Sequence, residues 1–190
     1  MIACQKGQMI IIRTLRPLFL ALAAMALPAA AALPEGRPAP AFATQAVIAG
    51  TPFAFRLQDA LAKGPVVLYF FPGAYTSGCT LEAHAFSEAT AQFAALGATV
   101  IGLSHDPIDK LARFSVSDCR NKFAVGIASP QIMADYKVKL PVVSMTNRTS
   151  YVIAPDGTIL LSYTALSPNQ HVPRALAAVK AWKDAQRPAR

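Results

Sequence analysis

The strongest constraint on the fold is the run Val66-Val67-Leu68-Tyr69-Phe70-Phe71, which Pro72-Gly73 closes abruptly. It is continuously apolar, rich in β-formers and lacks alternation, so it predicts a strand buried on both faces of a sheet. Turn residues follow, and then Cys79-Thr80-Leu81-Glu82 opens a segment with helical character. The order strand, turn, helix sets a single thiol at the positive end of a helix, at the C-terminal edge of a buried strand. Exposed N–H groups and the helix dipole favour negative charge on sulfur there.

The neighbouring segments extend this unit. Ala43 to Ile48 and Pro52 to Arg56, joined near Ala49-Gly50, predict a small hairpin. Leu57 to Ala62 reads as a short helical turn stopped by Gly64-Pro65. Beyond Cys79, apolar Leu81, Ala85, Phe86, Phe93 and Leu96 predict an amphipathic helix ended by Gly97. Ala98 to Leu103 predicts a second buried strand, and Asp106-Pro107 the cap and first residue of the next helix. A short strand near Val125 to Ala128 and a short helix near Gln131 to Tyr136 come next. Thr149 to Ala154 and Thr158 to Tyr163 flank the turn Asp156-Gly157, a hairpin signal. A last helix, from about Val172 to Ala185, carries Leu176, Val179 and Trp182, with Trp182 expected to anchor in the core. The sum is one α/β domain with a mixed central sheet flanked by helices and an N-terminal β-hairpin, resembling thioredoxin-like topology.

The N-terminal residues carry a different message. Lys6, Arg13 and Arg16 precede an apolar run from Leu18 to Leu27, and Ala30-Ala31-Ala32 supplies a small-residue cleavage pattern. Residues 1–32 read as a secretory signal peptide, leaving 33–190 as the mature domain, with Met9 an alternative start. The apolar run is too short to span a bilayer, which takes ~20 residues. Export, to a periplasm, is therefore expected, with no stable membrane association after cleavage. Loss of the three leader cations lowers the formal net charge from +8 to +5. The remaining Lys and Arg are scattered without aromatic interleaving, which argues against nucleic acid as a partner. Cys4 leaves with the leader, and Cys79 and Cys119 remain as a pair in an oxidising compartment.

Pro72-x-x-x-Thr76-x-x-Cys79 matches the P-x-x-x-[TS]-x-x-C signature of peroxiredoxins. The wider Val66–Phe71 and Gly78-Cys79-Thr80-Leu81-Glu82 context resembles the bacterioferritin-comigratory, or Q-type, branch. Arg148, just before the second hairpin strand, is similar to an arginine that the family carries there. The similarity runs from about Leu33 to Trp182. It implies a thiol-dependent peroxidase acting on hydrogen peroxide and organic hydroperoxides, without a cofactor or metal. It also implies a monomer and a thioredoxin-like or small-molecule thiol reductant.

Elementary chemistry fits those roles. A free thiol titrates near ~8.5, so little is nucleophilic at neutral pH. A guanidinium from Arg148 beside a helix N-terminus would favour the thiolate and meet charge on the leaving oxygen. Thr76 could accept from the thiol and donate to a peroxide oxygen, or merely cap the helix. Pro72 is expected to shape the loop and shield the sulfur. Glu82 is expected to meet the helix dipole or Arg148, in a structural more than a chemical role.

The sulfenic acid left on Cys79 needs a second thiol. Many Q-type relatives carry it five residues later, where this chain has His84. Cys119 instead resembles the subset with a resolving cysteine on the following helix, implying a Cys79–Cys119 disulfide. Its spacing of eleven residues from Ile108 would also suit a buried, inert cysteine on the apolar face. Two rival functions stand beside the peroxidase. A thioredoxin-like thiol:disulfide oxidoreductase suffers from the lack of a C-x-x-C partner. A metal-binding or redox-sensing module built on Cys79, His84, Cys119 and His105 matches no standard zinc spacing.

Overall fold

The computed structural model of the protein describes Met1 and residues 32–187. The leader reading falls on residues outside that range, apart from Met1 and Ala32. Among the described residues no helix is long and apolar enough to cross a membrane.

The chain forms a seven-stranded mixed sheet in the order β2-β1-β5-β4-β3-β6-β7. The strands are β1 (Ala43–Ile48), β2 (Thr51–Arg56), β3 (Val66–Phe70), β4 (Thr99–Ser104), β5 (Ala124–Ile127), β6 (Thr149–Ile153) and β7 (Ile159–Thr164). The helices are α1 (Leu57–Leu61), α2 (Ser77–Ala95), α3 (Ile108–Ser117), α4 (Pro130–Asp135) and α5 (His171–Ala185). Strand β3 is central, parallel to β4 and antiparallel to β6, and all five of its residues are buried. This is the two-sided burial that its unbroken apolar sequence requires.

Both hairpins form at the expected turns. Ala49 and Gly50 take φ of 50° and 77°, the left-handed pair of a two-residue turn between β1 and β2. Gly157 takes φ 85°, and Asp156 Oδ1 accepts from Thr158 N–H at 2.9 Å, closing β6 onto β7. The first hairpin joins the main sheet through β1 pairing with β5. The lead-in also docks: Gly36 N–H donates to the Ile159 carbonyl and Ala39 N–H to that of Gly157.

Period-two alternation divides β3 between two cores. Val66, Leu68 and Phe70 face one side with Leu57, Leu61, Ile132 and Tyr136. Val67, Tyr69 and Phe71 face the other, packed with Phe86, Phe93, Phe114, Phe123, Cys79 and Cys119. Tyr69 stacks on Phe86 at 4.3 Å, and Phe71 on Phe114 at 5.6 Å. Each such ring contributes ~1.5–3 kcal/mol by leaving water. Gly102 on β4 is required by this packing: a Cβ there would lie 2.6 Å from the Tyr69 ring.

Three local expectations are corrected. Leu81 is 61% exposed, whereas its neighbour Glu82 is fully buried. Helix α2 is rotated so that Glu82 can meet a cation that the local sequence does not contain. Trp182 is only half-buried, and Ala175 and Val179 are the fully buried residues of the α5 stripe. Asp106 does not cap α3: Pro107 occupies the cap position, with no side-chain hydrogen bond to the helix.

Candidate active site

The site begins where β3 stops. Phe71 N–H donates to the Leu103 carbonyl, and the Phe71 carbonyl accepts from Thr146 Oγ1 at 2.7 Å, so the strand end is fixed from two sides. Half-buried Pro72 then turns the chain away from the sheet. Tyr75 completes the turn at φ 67°, a left-handed conformation costly for a side chain of its size, with its ring edge-on to Phe114 at 5.3 Å. The Ala74 N–H in this turn donates to Asp106 Oδ2 at 2.7 Å. That carboxylate also receives Ser104 Oγ at 2.8 Å and Lys110 Nζ at 2.7 Å. Burial pushes the Asp106 carboxyl up, but Lys110, Ala74 and Ser104 together outweigh it and hold it below the usual range. Asp106, read from the sequence as a helix cap, is in fact the clamp on the cysteine turn.

Thr76 is the N-cap residue of α2, and Cys79 is the third residue of the helix. Cys79 N–H is spent on the Thr76 carbonyl at 3.0 Å. The Thr76 hydroxyl donates to the Gly73 carbonyl at 3.1 Å and makes no bond to the helix. Its proton is therefore committed to the turn, and its lone pairs are what it offers outward.

Cys79 is 1% exposed, and Arg148 reaches its sulfur from across the sheet. Arg148 Nη2 donates to Cys79 Sγ at 3.4 Å, Nη1 donates to Glu82 Oε2, and Nε donates to the Leu166 carbonyl at 3.0 Å. Three directions of one rigid fork are thus fixed at once. Gly78 makes room: a Cβ there would stand 3.1 Å from Nη2. Burial pulls the guanidinium down, but Glu82 and Cys79 outweigh it and hold Arg148 above its usual value. Burial drives Glu82 up to about 7 against the opposing pull of Arg148.

Behind Glu82 lies His171, the first residue of α5 and wholly buried. Its Nδ1 is 3.6 Å from Glu82 Oε1 and 2.8 Å from Ser150 Oγ, and its Nε2 is 3.2 Å from the Ala165 carbonyl. Burial lowers its pKa to about 4. Nothing in the local pattern marks this placement, since a histidine beside Val172 carries no periodic signal of burial.

Cys119 lies one residue past the C-cap of α3, in a turn rather than on the helix itself. It is fully buried, in the same core cluster as Cys79, and both thiols are free. Burial, and then the adjacent Asp118, push the Cys119 thiol well above its usual value. The next two residues, Arg120 and Asn121, take φ of 52° and 59°. Tyr69 is placed by the same core: its buried hydroxyl has no hydrogen-bond partner among the described residues, and its pKa is raised by burial first and then by Cys119, Glu82 and Cys79. His84, half-exposed, lies 3.7 Å from Asp118 through Nε2, and His105 contacts the Ala128 carbonyl at 2.9 Å. Among the described residues, no three His, Cys, Asp or Glu side chains gather as a metal site requires.

The model of the AhpC/TSA family matches residues 36–162. A Mycobacterium tuberculosis protein named as a peroxiredoxin is 35% identical over 136 residues, spanning 70% of this chain and 87% of the relative. The chloroplastic peroxiredoxin Q of Gentiana triflora is 34% identical over 122 residues, 59% of this chain and 52% of the plant protein. The crystal structure of the peroxidoxin BcpB from Mycobacterium tuberculosis superposes with a TM-score of 0.70 at 32% identity, covering 77% of this chain and 96% of BcpB. The chain belongs to the AhpC/TSA family, and is a thiol-dependent peroxidase of the peroxiredoxin Q kind.

Proposed function

We propose that Cys79 is the thiol that attacks the peroxide and that Cys119 resolves the product. The observation that carries this reading is the Arg148 Nη2 contact with Cys79 Sγ at 3.4 Å, from a guanidinium whose other nitrogens are already anchored. A fixed cation beside the sulfur stabilises its negative charge, and remains in place to meet charge moving onto the leaving oxygen. Thiolate sulfur attacks one peroxide oxygen, the S–O bond forms and the O–O bond breaks. The departing oxygen takes a proton and leaves as water or alcohol, and Cys79 is left as sulfenic acid. Thr76 positions the peroxide through its free lone pairs, and Pro72 starts the turn that shields the sulfur.

The Cys119 thiol then attacks the Cys79 sulfur, forming the S–S bond and releasing water. Cys119 starts from a poor state for this step, buried and strongly biased to the neutral thiol. The step therefore requires the turn at Cys119 to open. Two successive left-handed residues at Arg120 and Asn121 make it a strained segment suited to local opening. An external thiol, from a thioredoxin-like protein or a small molecule, reduces the disulfide and completes the cycle. Export to a periplasm, with the mature protein working as a monomer, is part of the same proposal, supported by the basic, apolar and small-residue order of residues 1–32 and by the family resemblance.

The test is peroxide turnover with thiol reductants in the wild type, Cys79→Ser and Cys119→Ser. Cys79→Ser should lose all turnover. Cys119→Ser should keep the first oxidation of Cys79 and lose thioredoxin-supported multiple turnover. Undiminished turnover in Cys79→Ser would overturn the assignment.

A further inference from the structure

Glu82 presents a problem that the peroxidase reading does not solve. Its Oε2 is held by Arg148, but Oε1 is buried with no hydrogen-bond donor among the described residues. A bare carboxylate oxygen in that position is costly. The group it faces is His171 Nδ1, 3.6 Å away. The His171 tautomer follows from its other side: Nε2 meets the Ala165 carbonyl, which can only accept, so Nε2 carries the hydrogen. The single Nδ1 lone pair of neutral His171 faces both Ser150 Oγ and Glu82 Oε1, and Ser150, a hydroxyl free to turn its hydrogen elsewhere, can leave that lone pair to Glu82. Two acceptors face each other in a dry site, and one proton placed between them satisfies both.

The charge balance of the cluster says when that proton is present. Arg148 and a Cys79 thiolate already neutralise each other, so a charged Glu82 would leave one uncompensated negative charge in the core. Once Cys79 is sulfenic acid its charge is gone, and a charged Glu82 becomes the counter-charge of Arg148. We propose that Glu82 and His171 hold one shared proton while Cys79 is a thiolate and give it up when Cys79 is oxidised. In balance, Cys79 thiolate, peroxide and protonated Glu82 yield Cys79 sulfenic acid, water or alcohol, and the Glu82 carboxylate. The proton lost by the pair equals the one gained by the leaving oxygen. His171 is then a positioning residue, which keeps the proton on Glu82 in the reduced enzyme.

The other groups around the pair are consistent with this. Among the described residues, Arg148, just before β6, and Cys79, on α2, are the charged groups paired with Glu82 or its guanidinium partner. Tyr69 from β3 is held neutral by burial. On the β7 side Tyr163 packs its ring against His171 at 4.8 Å, and the Arg174 guanidinium lies over the Tyr163 ring, 4.5 Å from its centre. Burial raises Glu82 to about 7 and lowers His171 to about 4, so the shared proton belongs mainly to the carboxyl.

The inference rests on Cys79 being the attacking thiol, and the experiment separates the two. Reduced wild-type protein at about pH 6, below the Glu82 value of about 7, is mixed with one equivalent of hydrogen peroxide. Infrared difference spectra follow the C=O stretch of a protonated carboxylic acid, while mass spectrometry follows Cys79. The expected result is an acid band in the reduced protein that disappears with Cys79 oxidation and is missing in Glu82→Gln. Oxidised Cys79 with no acid band, or with a band that persists, overturns the shared proton and leaves the attacking thiol in place. Unoxidised Cys79 defeats the attacking-thiol reading itself, and this inference with it. His171→Leu should shift the band to that of an unbonded acid, and His171→Asn, which keeps a hydrogen-bonding group facing Oε1, should return it. A band unmoved in a folded His171→Leu overturns the pairing. If that variant does not fold, the nitrogen NMR shift of His171 Nδ1 in the wild type decides: it moves on oxidation if the proton leaves and stays if it does not.

Discussion

Arg148 Nη2 sits 3.4 Å from Cys79 Sγ, across 69 residues of sequence, with Glu82 gripping the other arm of the same guanidinium. A lysine cannot reproduce this, since its ammonium is a single point of charge and has no fork to divide between sulfur and carboxylate. Arg148→Lys should slow the first oxidation of Cys79 by about 10²–10³-fold, the scale for loss of a fixed donor at a developing charge. Rapid-mixing kinetics of one peroxide equivalent measure it; a change below tenfold would show that charge alone suffices.

Asp106 holds the cysteine turn through Ala74 N–H, at 2.7 Å, while Lys110 and Ser104 secure the carboxylate. Asp106→Ala leaves those donors without their partner and should cost ~1–3 kcal/mol. The sign of the pH effect follows from a carboxyl held below its ordinary value of 3.8. Its stabilisation is present above that value and is lost as pH falls through the lower folded one. Urea unfolding at neutral and acid pH should show the gap between wild type and Asp106→Ala narrowing on the acid side.

Burial lowers His171 from its ordinary value of 6.5 to about 4 in the fold, so the unfolded chain binds more protons between those limits. Its contribution to stability is thus absent below about 4, rises with pH and is complete near 6.5. Glu82, raised from 4.5 to about 7, acts in the opposite sense and loses stability over its own window. The two slopes cancel over most of the shared range. Removing His171 uncovers the Glu82 slope: the stability advantage of wild type over His171→Asn should grow by up to roughly 3 kcal/mol as pH rises through the His171 window. Parallel pH profiles for the two proteins would contradict it.

Gly102→Ala places a methyl group 2.6 Å from Tyr69 Cζ and 2.7 Å from its hydroxyl oxygen. Both sit in a core already filled by Phe86, Phe71 and Phe123, so the ring has little room to retreat. Overpacking of this kind costs ~1–3 kcal/mol. A lowered urea midpoint at unchanged slope is the expected outcome.

Sequence pattern reached the elements whose causes are local. The unbroken run of β3, the Ala49-Gly50 and Asp156-Gly157 turns and the Cys79 helix start all formed where residue type alone dictates them. Cys79 and Arg148 were both legible through the family motif, and the fold brings them together. What could not be read locally are choices decided by distant partners. Leu81 and Glu82 are adjacent, and only a cation 66 residues away explains why the acid is buried and the leucine exposed. Asp106 looked like a cap because Pro107 follows it, but its carboxylate found a stronger set of donors in the cysteine turn. Cys119 was expected on the helix and lies just beyond it, where a turn can open without unravelling α3.

Pairing of Cys79 with Cys119 is the central step of the cycle, and non-reducing peptide mapping after one equivalent of hydrogen peroxide tests it directly. A Cys79–Cys119 linked peptide, reversed by thiol reductant and absent from Cys119→Ser, is the expected result. Cys79 oxidised beside an unlinked Cys119 thiol would contradict it, and would make Cys119 a packing residue in a one-cysteine cycle.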